Sequence, residues 1–290
     1  MRVAFVGFGE VASVFAAALQ ARGCEVAAYD RLLESADGRE RLAQRVRGAP
    51  VRLSALADAL ADAEYVFSSV TTDVALEAAR ACVPHLGRGQ VFVDLNACAP
   101  QRKREIAALI GPSGAAFVEG ALLGAIAVEG SRTELLLGGE HAERAARELS
   151  ARGLNARFFG AEIGRASTFK MLRSVLSKGL EALLIEFLVA GERSGLRREL
   201  WAEAERLFAS HSFGELAGNW VASHATAHER RWHEMAQVAD VLRALGVEPV
   251  MTAATEALFR RSVELRLKDD FPARPRSPET VVQTLERKLR

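Results

Sequence analysis

An α/β domain with a parallel sheet, followed by an all-helical domain, is the fold class that this 290-residue chain predicts. Three observations carry it. The chain opens with a short apolar run, a glycine-rich turn and an apolar-periodic segment, which is the pattern of strand, tight turn and helix. Apolar runs of strand length then alternate with helical segments, which calls for parallel pairing through right-handed crossovers. From Gly164 onward the strand runs stop and helical periodicity continues to Arg290. The expected division is residues 1–162 for the α/β part and 163–290 for the helical part.

The first element is the most informative. Val3 to Val6 leads into Gly7-Phe8-Gly9-Glu10-Val11-Ala12, a Gly-x-Gly-x-x-Ala turn. Gly7 permits the turn, Gly9 lets backbone approach a pyrophosphate, and the small Ala12 lets helix pack closely on strand. The helix N-terminus offers free N–H groups and the positive end of its dipole to an anion. A second apolar run, Glu25 to Tyr29, ends in Asp30. That acid stands about 20 residues beyond the glycines, where it can accept hydrogen bonds from both adenosine ribose hydroxyls. Strand, turn, helix, strand and acid in this order make a Rossmann-type dinucleotide site, with Gly7, Phe8, Gly9, Glu10, Val11 and Asp30 as cofactor contacts. The charge of Asp30 opposes a 2′-phosphate and favours NAD. Arg31, followed by Arg39 and Arg41, could still accommodate that phosphate, so NADP remains the alternative.

The later elements follow in order. Arg31 to Arg47 holds a short helix, and Val51 to Leu53 a brief strand. Ser54 can cap the next helix. Tyr65 to Val70 is a buried strand ending at Thr71-Thr72-Asp73, and a helix from about Val74 to Cys82 leads to Gly87-Arg88-Gly89. Val91 to Leu95 is another strand, with Asn96-Ala97-Cys98-Ala99-Pro100 as its exit loop. Ala116 to Glu119 and Thr133 to Leu137 are later strands. Ligands of such sheets bind at the carboxyl ends of the strands. Val70, Thr71, Thr72 and Asn96 therefore join the cofactor contacts, and Gly120 to Ala125 borders the same crevice. Thr168 to Ala190 is a long helix, and later helices break near Gly195, Gly214, Gly246 and Pro272.

Composition excludes several classes. With 38 Lys+Arg against 37 Asp+Glu, no global field recruits nucleic acid or anionic membrane. No apolar stretch reaches the 18 or so residues of a membrane span, and no signal-peptide layout opens the chain. Cys24, Cys82 and Cys98 lack metal-type spacing and suit a reducing compartment, so a cytoplasmic protein is expected.

The long helix carries a polar stripe. Ser167, Lys170, Ser174, Ser177 and Glu181 recur at three- and four-residue spacing, and apolar residues such as Met171, Leu172, Val175 and Leu176 fill most of the remaining surface. This pattern predicts a helix buried on several sides with one side lining a wet cleft; a solvent-facing stripe is the alternative.

The glycine fingerprint, the loop after the fifth strand and Gly164-x-Ala166-x-x-x-Lys170 together resemble the β-hydroxyacid dehydrogenase superfamily, which includes 3-hydroxyisobutyrate and 6-phosphogluconate dehydrogenases. The resemblance spans essentially the whole chain. It is most similar to a branch with a phosphogluconate-dehydrogenase-like C-terminal domain, through Lys170-Met171, Lys178 to Leu183, His233-Glu234-Met235 and Gly246 to Pro249. The resemblance implies that Lys170 is the general acid–base beside nicotinamide and substrate hydroxyl, a role a desolvated ammonium suits. It also implies a homodimer through the C-terminal helices.

Departures bear on the substrate. The Asp-x-Ser-Thr loop of relatives reads Asp94-Leu95-Asn96-Ala97, which keeps a hydrogen-bonding amide and loses the hydroxyls. The segment that grips a substrate carboxylate in relatives aligns with Glu119 to Ala125, with leucine in place of serine. The asparagine usually four residues beyond the lysine is Ser174, and Lys-Asp-Leu becomes His233-Glu234-Met235. Asn96, Leu123, Gly124, Ser174, Arg231 and His233 are the expected substrate contacts, and an altered small-molecule substrate is inferred. His224 and His228 share a helical face at metal-compatible spacing, but nothing else points to a metal, and none is expected. The expected function is NAD(P)-dependent hydride transfer to or from a small hydroxy acid or related polar carbonyl. A dinucleotide-binding sensor would not need Lys170. Imine reductases of this scaffold generally carry Asp or Tyr at that position, which leaves imine reduction as the other alternative.

Overall fold

A computed structural model describes residues 1–46 and 48–290. The chain divides into two compact units, Met1–Val175 and Leu176–Arg290. The first is built on an eight-stranded sheet of order β3-β2-β1-β4-β5-β6-β7-β8. Its strands are β1 (Arg2–Val6), β2 (Glu25–Tyr29), β3 (Val51–Leu53), β4 (Tyr65–Ser68), β5 (Val91–Asp94), β6 (Ala116–Leu123), β7 (Glu134–Gly138) and β8 (Ala156–Gly160). Helices α1 (Glu10–Gln20), α2 (Ala36–Arg45), α3 (Leu56–Leu60), α4 (Ala75–Cys82), α5 (Pro100–Ile110), α6 (Ile126–Glu129) and α7 (Ala142–Ser150) connect them.

The central strands read as continuous apolar runs because both faces of the sheet are covered. Alternate residues sort between two cores. Val3, Phe5, Tyr65, Phe67, Val91 and Val93 pack with Phe15 and Leu19 of α1 and Leu149 of α7. Ala4, Val6, Val66, Phe92 and Phe117 pack with Leu60, Ala79, Ile106 and Ile110 of α3, α4 and α5. Each fully buried Phe, Leu or Val contributes about 1.5–3 kcal/mol of transfer free energy. These two cores hold the carboxyl ends of β1, β4 and β5 at one level, since Val6 pairs with Ser68 and Ser68 with Asp94.

The sheet departs from the all-parallel expectation at one place. β1 to β6 run parallel, but β7 is antiparallel to β6 and β8 follows β7. The connection over residues 124–133 is shorter than the dozen or so residues that a parallel crossover needs, so the chain turns back as a hairpin. β6 also runs four residues past the expected end at Glu119, and those four pair with β7. β8 was not foreseen. Its ARFFG sequence is half exposed at the sheet edge and owes its conformation to pairing with β7 rather than to a distinctive apolar pattern.

Helix α8 (Arg165–Ser194) begins in the first unit and ends in the second. The second unit continues with α9 (Arg197–Ser210), α10 (Phe213–Ala244), α11 (Val250–Glu264) and α12 (Pro278–Lys288). The break expected near Gly214 lies at His211 and Ser212. There Ser212 and Glu215 form a reciprocal capping box that starts α10. Glu186 of α8 accepts hydrogen bonds from the Met251 and Thr252 N–H groups and the Thr252 hydroxyl, and so caps α11. Burial acts to raise the Glu186 carboxyl, but these hydrogen bonds outweigh it and hold the group below its ordinary range. Among the described residues, no helix is long and apolar enough to cross a membrane.

Candidate dinucleotide site and catalytic helix

The glycine turn is built as its sequence requires. Gly7 has φ +84°, and a Cβ there would lie 2.7 Å from both the Ser69 carbonyl oxygen and Val70 Cγ1. The Gly7 N–H donates to the Tyr29 carbonyl at 2.8 Å, and the Ser69 hydroxyl donates to the Gly7 carbonyl at 2.8 Å. Phe8 turns its ring into the core, edge-on to Phe5. Gly9 is the N-cap of α1, makes no side-chain cap, and has open space where a Cβ would stand. The amino end of α1 therefore presents uncapped N–H groups to an unobstructed space, with Glu10 exposed and Val11 half-buried beside it. These residues fit a dinucleotide pyrophosphate.

Asp30 follows β2 with its carboxylate beside the turn. One oxygen accepts the Phe8 N–H at 2.8 Å and the other the Leu32 N–H at 2.9 Å. Each oxygen keeps a second lone pair, so the anchored carboxylate can still receive ribose hydroxyls. Arg31 is exposed, and Arg45 of α2 donates to the Phe8 carbonyl at 3.0 Å. Arg45 is a guanidinium at this turn that sequence spacing did not single out.

Asn96 behaves differently from its expected ligand role. It is 3% exposed, and its side chain serves the protein. Oδ1 accepts the Val70 N–H at 2.7 Å, while Nδ2 donates to Ser68 Oγ at 2.9 Å and to Asp94 Oδ1 at 2.5 Å. Val70 is half-buried, and Thr71 and Thr72 are exposed at the rim. Behind Asn96, Asp94 Oδ2 faces Lys103 Nζ at 3.1 Å; the two residues are 0% and 1% exposed. Lys103 also donates to the Asp94 carbonyl at 2.7 Å and more weakly to the Gly120 carbonyl at 3.4 Å. Burial pushes the neighbouring Cys98 thiol up, and the Asp94 carboxylate adds to the effect. Lys103 escaped the sequence reading because Gln101-Arg102-Lys103-Arg104-Glu105 looks like a solvated helix face.

The start of α8 is tied to β6 through Glu119, which is fully buried. Its Oε1 accepts the N–H groups of Gly164 and Ala166 at 2.8 and 2.9 Å, and its Oε2 accepts the Ser167 hydroxyl at 2.6 Å. Lys170 lies about 7.5 Å along the helix axis from Arg165 and is half-buried. Ser174, one turn later, is half-buried and donates its hydroxyl to the Lys170 carbonyl at 3.1 Å. Leu123 and Gly124 follow at the end of β6, where Glu129 of α6 lays its carboxylate against Gly124. The apolar flank of α8 differs from expectation, because Leu172, Val175 and Leu176 are 65%, 72% and 56% exposed.

In the second unit, Arg231 is half-buried and donates to the Ser223 hydroxyl at 2.9 Å, while the exposed His233 stacks on Trp232. His224 and His228 are buried. His224 Nε2 meets Ser262 Oγ at 2.9 Å, and His228 Nδ1 meets the His224 carbonyl at 2.8 Å. Burial, aided by the charges of His228 and Arg231, lowers the His224 pKa to about 4. Among the described residues, no group of three or more His, Cys, Asp or Glu side chains is placed to hold a metal.

Comparison with known proteins fits this geometry. The NAD binding domain of 6-phosphogluconate dehydrogenase matches residues 2–154, and the Domain of unknown function (DUF1932) matches residues 192–262. The conserved protein MTH1747, of unknown function and described as structurally similar to 3-hydroxyacid dehydrogenases, is 34% identical. That alignment covers 92% of this chain and 99% of that one, with a TM-score of 0.61. A conserved hypothetical protein from Sinorhizobium meliloti 1021 is 29% identical over 99% of this chain and 96% of its own, with a TM-score of 0.63. An imine reductase from Myxococcus stipitatus, solved with NADP+, shares the fold at a TM-score of 0.77 over the full length of both chains, at 17% identity. The scaffold is that of NAD(P)-binding oxidoreductases, and the chain belongs to the family of the NAD binding domain of 6-phosphogluconate dehydrogenase, joined to a DUF1932 domain.

Proposed function

We propose that the protein is an NAD(P)-dependent oxidoreductase that transfers a hydride between nicotinamide and a small hydroxy acid or related polar carbonyl compound. The open amino end of α1 carries the reading, since Gly9 leaves its N–H groups uncapped and unobstructed beside an anchored Asp30. Gly7 to Val11 would hold the pyrophosphate and Asp30 the adenosine ribose, and Val70 to Thr72 would be the further cofactor contacts. Asn96 contributes by holding Val70. NAD is preferred, because the Asp30 charge would repel a 2′-phosphate; Arg31 and Arg45 are the groups that would oppose this preference.

When bound, the nicotinamide supplies the hydride donor or acceptor. Lys170 Nζ gives a proton to the substrate oxygen as the carbonyl is reduced, and takes it back as the hydroxyl is oxidised. Kept protonated, it also stabilises negative charge developing on that oxygen. Leu123, Gly124 and Ser174 complete the substrate contacts within the first unit. The active form is a homodimer through the C-terminal helices. Helix α9 buries no residue, and Leu176, Leu183, Ile185 and Val189 of α8 are exposed, which supports a second copy as their cover.

Titration with NADH and NADPH, followed by nicotinamide fluorescence, tests the reading. Tighter NADH binding and turnover of a hydroxy acid that disappears in Lys170→Ala are the expected results. Turnover of imines alone would move the substrate class to C=N compounds. Binding of neither cofactor would overturn the proposal.

A further inference from the structure

The ion pair of Lys103 and Asp94 has no evident packing purpose. Two opposite charges removed from water gain little over an apolar pair of similar volume, which often serves stability as well or better. The pair also does not touch the open space above α1 directly. It touches Asn96: Asp94 Oδ1 accepts both the Asn96 N–H, at 3.1 Å, and the Asn96 side-chain amide, at 2.5 Å. Asn96 Oδ1 in turn holds the Val70 N–H, and Val70 Cγ1 lies against Gly7, where no Cβ could be admitted. The neighbouring Ser69 hydroxyl binds the Gly7 carbonyl. A continuous path of contacts therefore runs from α5, through the ends of β5 and β4, to the glycine turn after β1.

We propose that Lys103 and Asp94 are positioning residues for the dinucleotide turn. Lys103 anchors and neutralises the Asp94 carboxylate. Asp94 fixes the rotamer and amide orientation of Asn96, and Asn96 sets the position of Val70 against Gly7. The inference rests on the dinucleotide-binding reading above and adds two residues to it, neither of which reaches the cofactor.

Two double variants separate positioning from packing. D94L/K103M replaces the pair by apolar side chains and leaves Asn96 without its acceptor. D94N/K103M removes both charges but keeps an amide oxygen for Asn96. D94L/K103M is expected to melt within a few degrees of the wild type yet bind NADH and NADPH at least tenfold more weakly. D94N/K103M is expected to bind within threefold of the wild type. Wild-type affinity in D94L/K103M, or equal weakening in both variants, overturns the proposal.

Should the leucine variant not fold, Lys103→Gln takes its place, with amide hydrogen exchange as the readout. Exchange at Val70 is expected to rise at least tenfold while that at Phe92 in the β5 core stays unchanged. Unaltered exchange at Val70 overturns the proposal. Failure of the wild type to bind either nucleotide would instead count against the dinucleotide reading, and the Val70 measurement would still report on the path.

Discussion

Glu119 and Ser167, 48 residues apart, meet at 2.6 Å in a buried contact that joins the middle of β6 to the first turn of α8. The same carboxylate receives two backbone N–H groups at that helix end. A negative charge there also meets the positive end of the helix dipole. One side chain thus closes an amino end that would otherwise be buried with unsatisfied donors, and it sets the level at which Lys170 leaves the helix.

Replacing Glu119 by Gln puts an amide NH₂ against groups that are themselves donors. We expect a loss of about 2–3 kcal/mol of stability in urea unfolding, and about 1 kcal/mol for Ser167→Ala. Equal stability of Glu119→Gln and the wild type would mean that water or a shifted backbone takes over the carboxylate's role.

The two glycines of the turn should respond differently to alanine. Gly7→Ala places a Cβ 2.7 Å from the Ser69 carbonyl oxygen at positive φ, so it should lower the melting temperature and abolish cofactor binding. Gly9→Ala meets nothing within 4 Å and should fold normally, but its methyl occupies the space left for pyrophosphate. Calorimetry beside NADH titration distinguishes them, and normal binding by Gly9→Ala would remove that glycine from the site.

Lys170→Ala should leave NADH affinity within a few-fold of the wild type and lower kcat by about 10²–10⁴, the usual contribution of a general acid–base. Lys170→Arg should be nearly as slow, since a guanidinium does not release its proton near neutral pH. Undiminished kcat in either variant would assign the proton to another group.

His224 makes stability depend on pH. Its pKa is near 6.5 in the unfolded chain and about 4 in the folded one, so only the unfolded state gains a proton between those values. The stabilisation is complete above pH 6.5, falls as the pH drops from 6.5 to 4, and is flat below. The loss is about 3 kcal/mol in all, at about 1.4 kcal/mol per pH unit. Unfolding curves at pH 7 and pH 4.5 should show this difference shrinking in His224→Asn. An unchanged difference would place the titration elsewhere.

The glycine turn, Asp30 and the seven leading strands were legible because each is encoded locally. Gly7 needs a backbone that other residues avoid, and the apolar runs of β1, β4 and β5 have one explanation once both sheet faces are buried. The role of Asn96 depends on contacts between the ends of separate strands, and that of Lys103 on the way α5 folds back onto the end of β5, neither of which a local pattern announces. An arginine-rich helix face looks the same whether its lysine points to solvent or into a core. The reversal at β7 was hidden for a related reason: periodicity says where a strand is but carries no information on its direction. The half-exposed β8 had too weak a pattern to stand apart from a loop.

The hairpin of β6 and β7 works as a ruler for helix α8. Glu119 pairs with Gly138, and Gly138 with Gly160, so β8 leaves the sheet at the level of Asp94 although it runs in the opposite sense to β5. Helix α8 starts from that level. A two-residue slip between β6 and β7 would preserve the inward and outward alternation of side chains yet move the departure point by about 7 Å. Insertions within residues 124–133 that keep Glu119 opposite Gly138 can therefore reshape that connection without displacing Lys170. The fold leaves one segment free to diversify while the first turn of α8 stays anchored to the middle of β6 through Glu119.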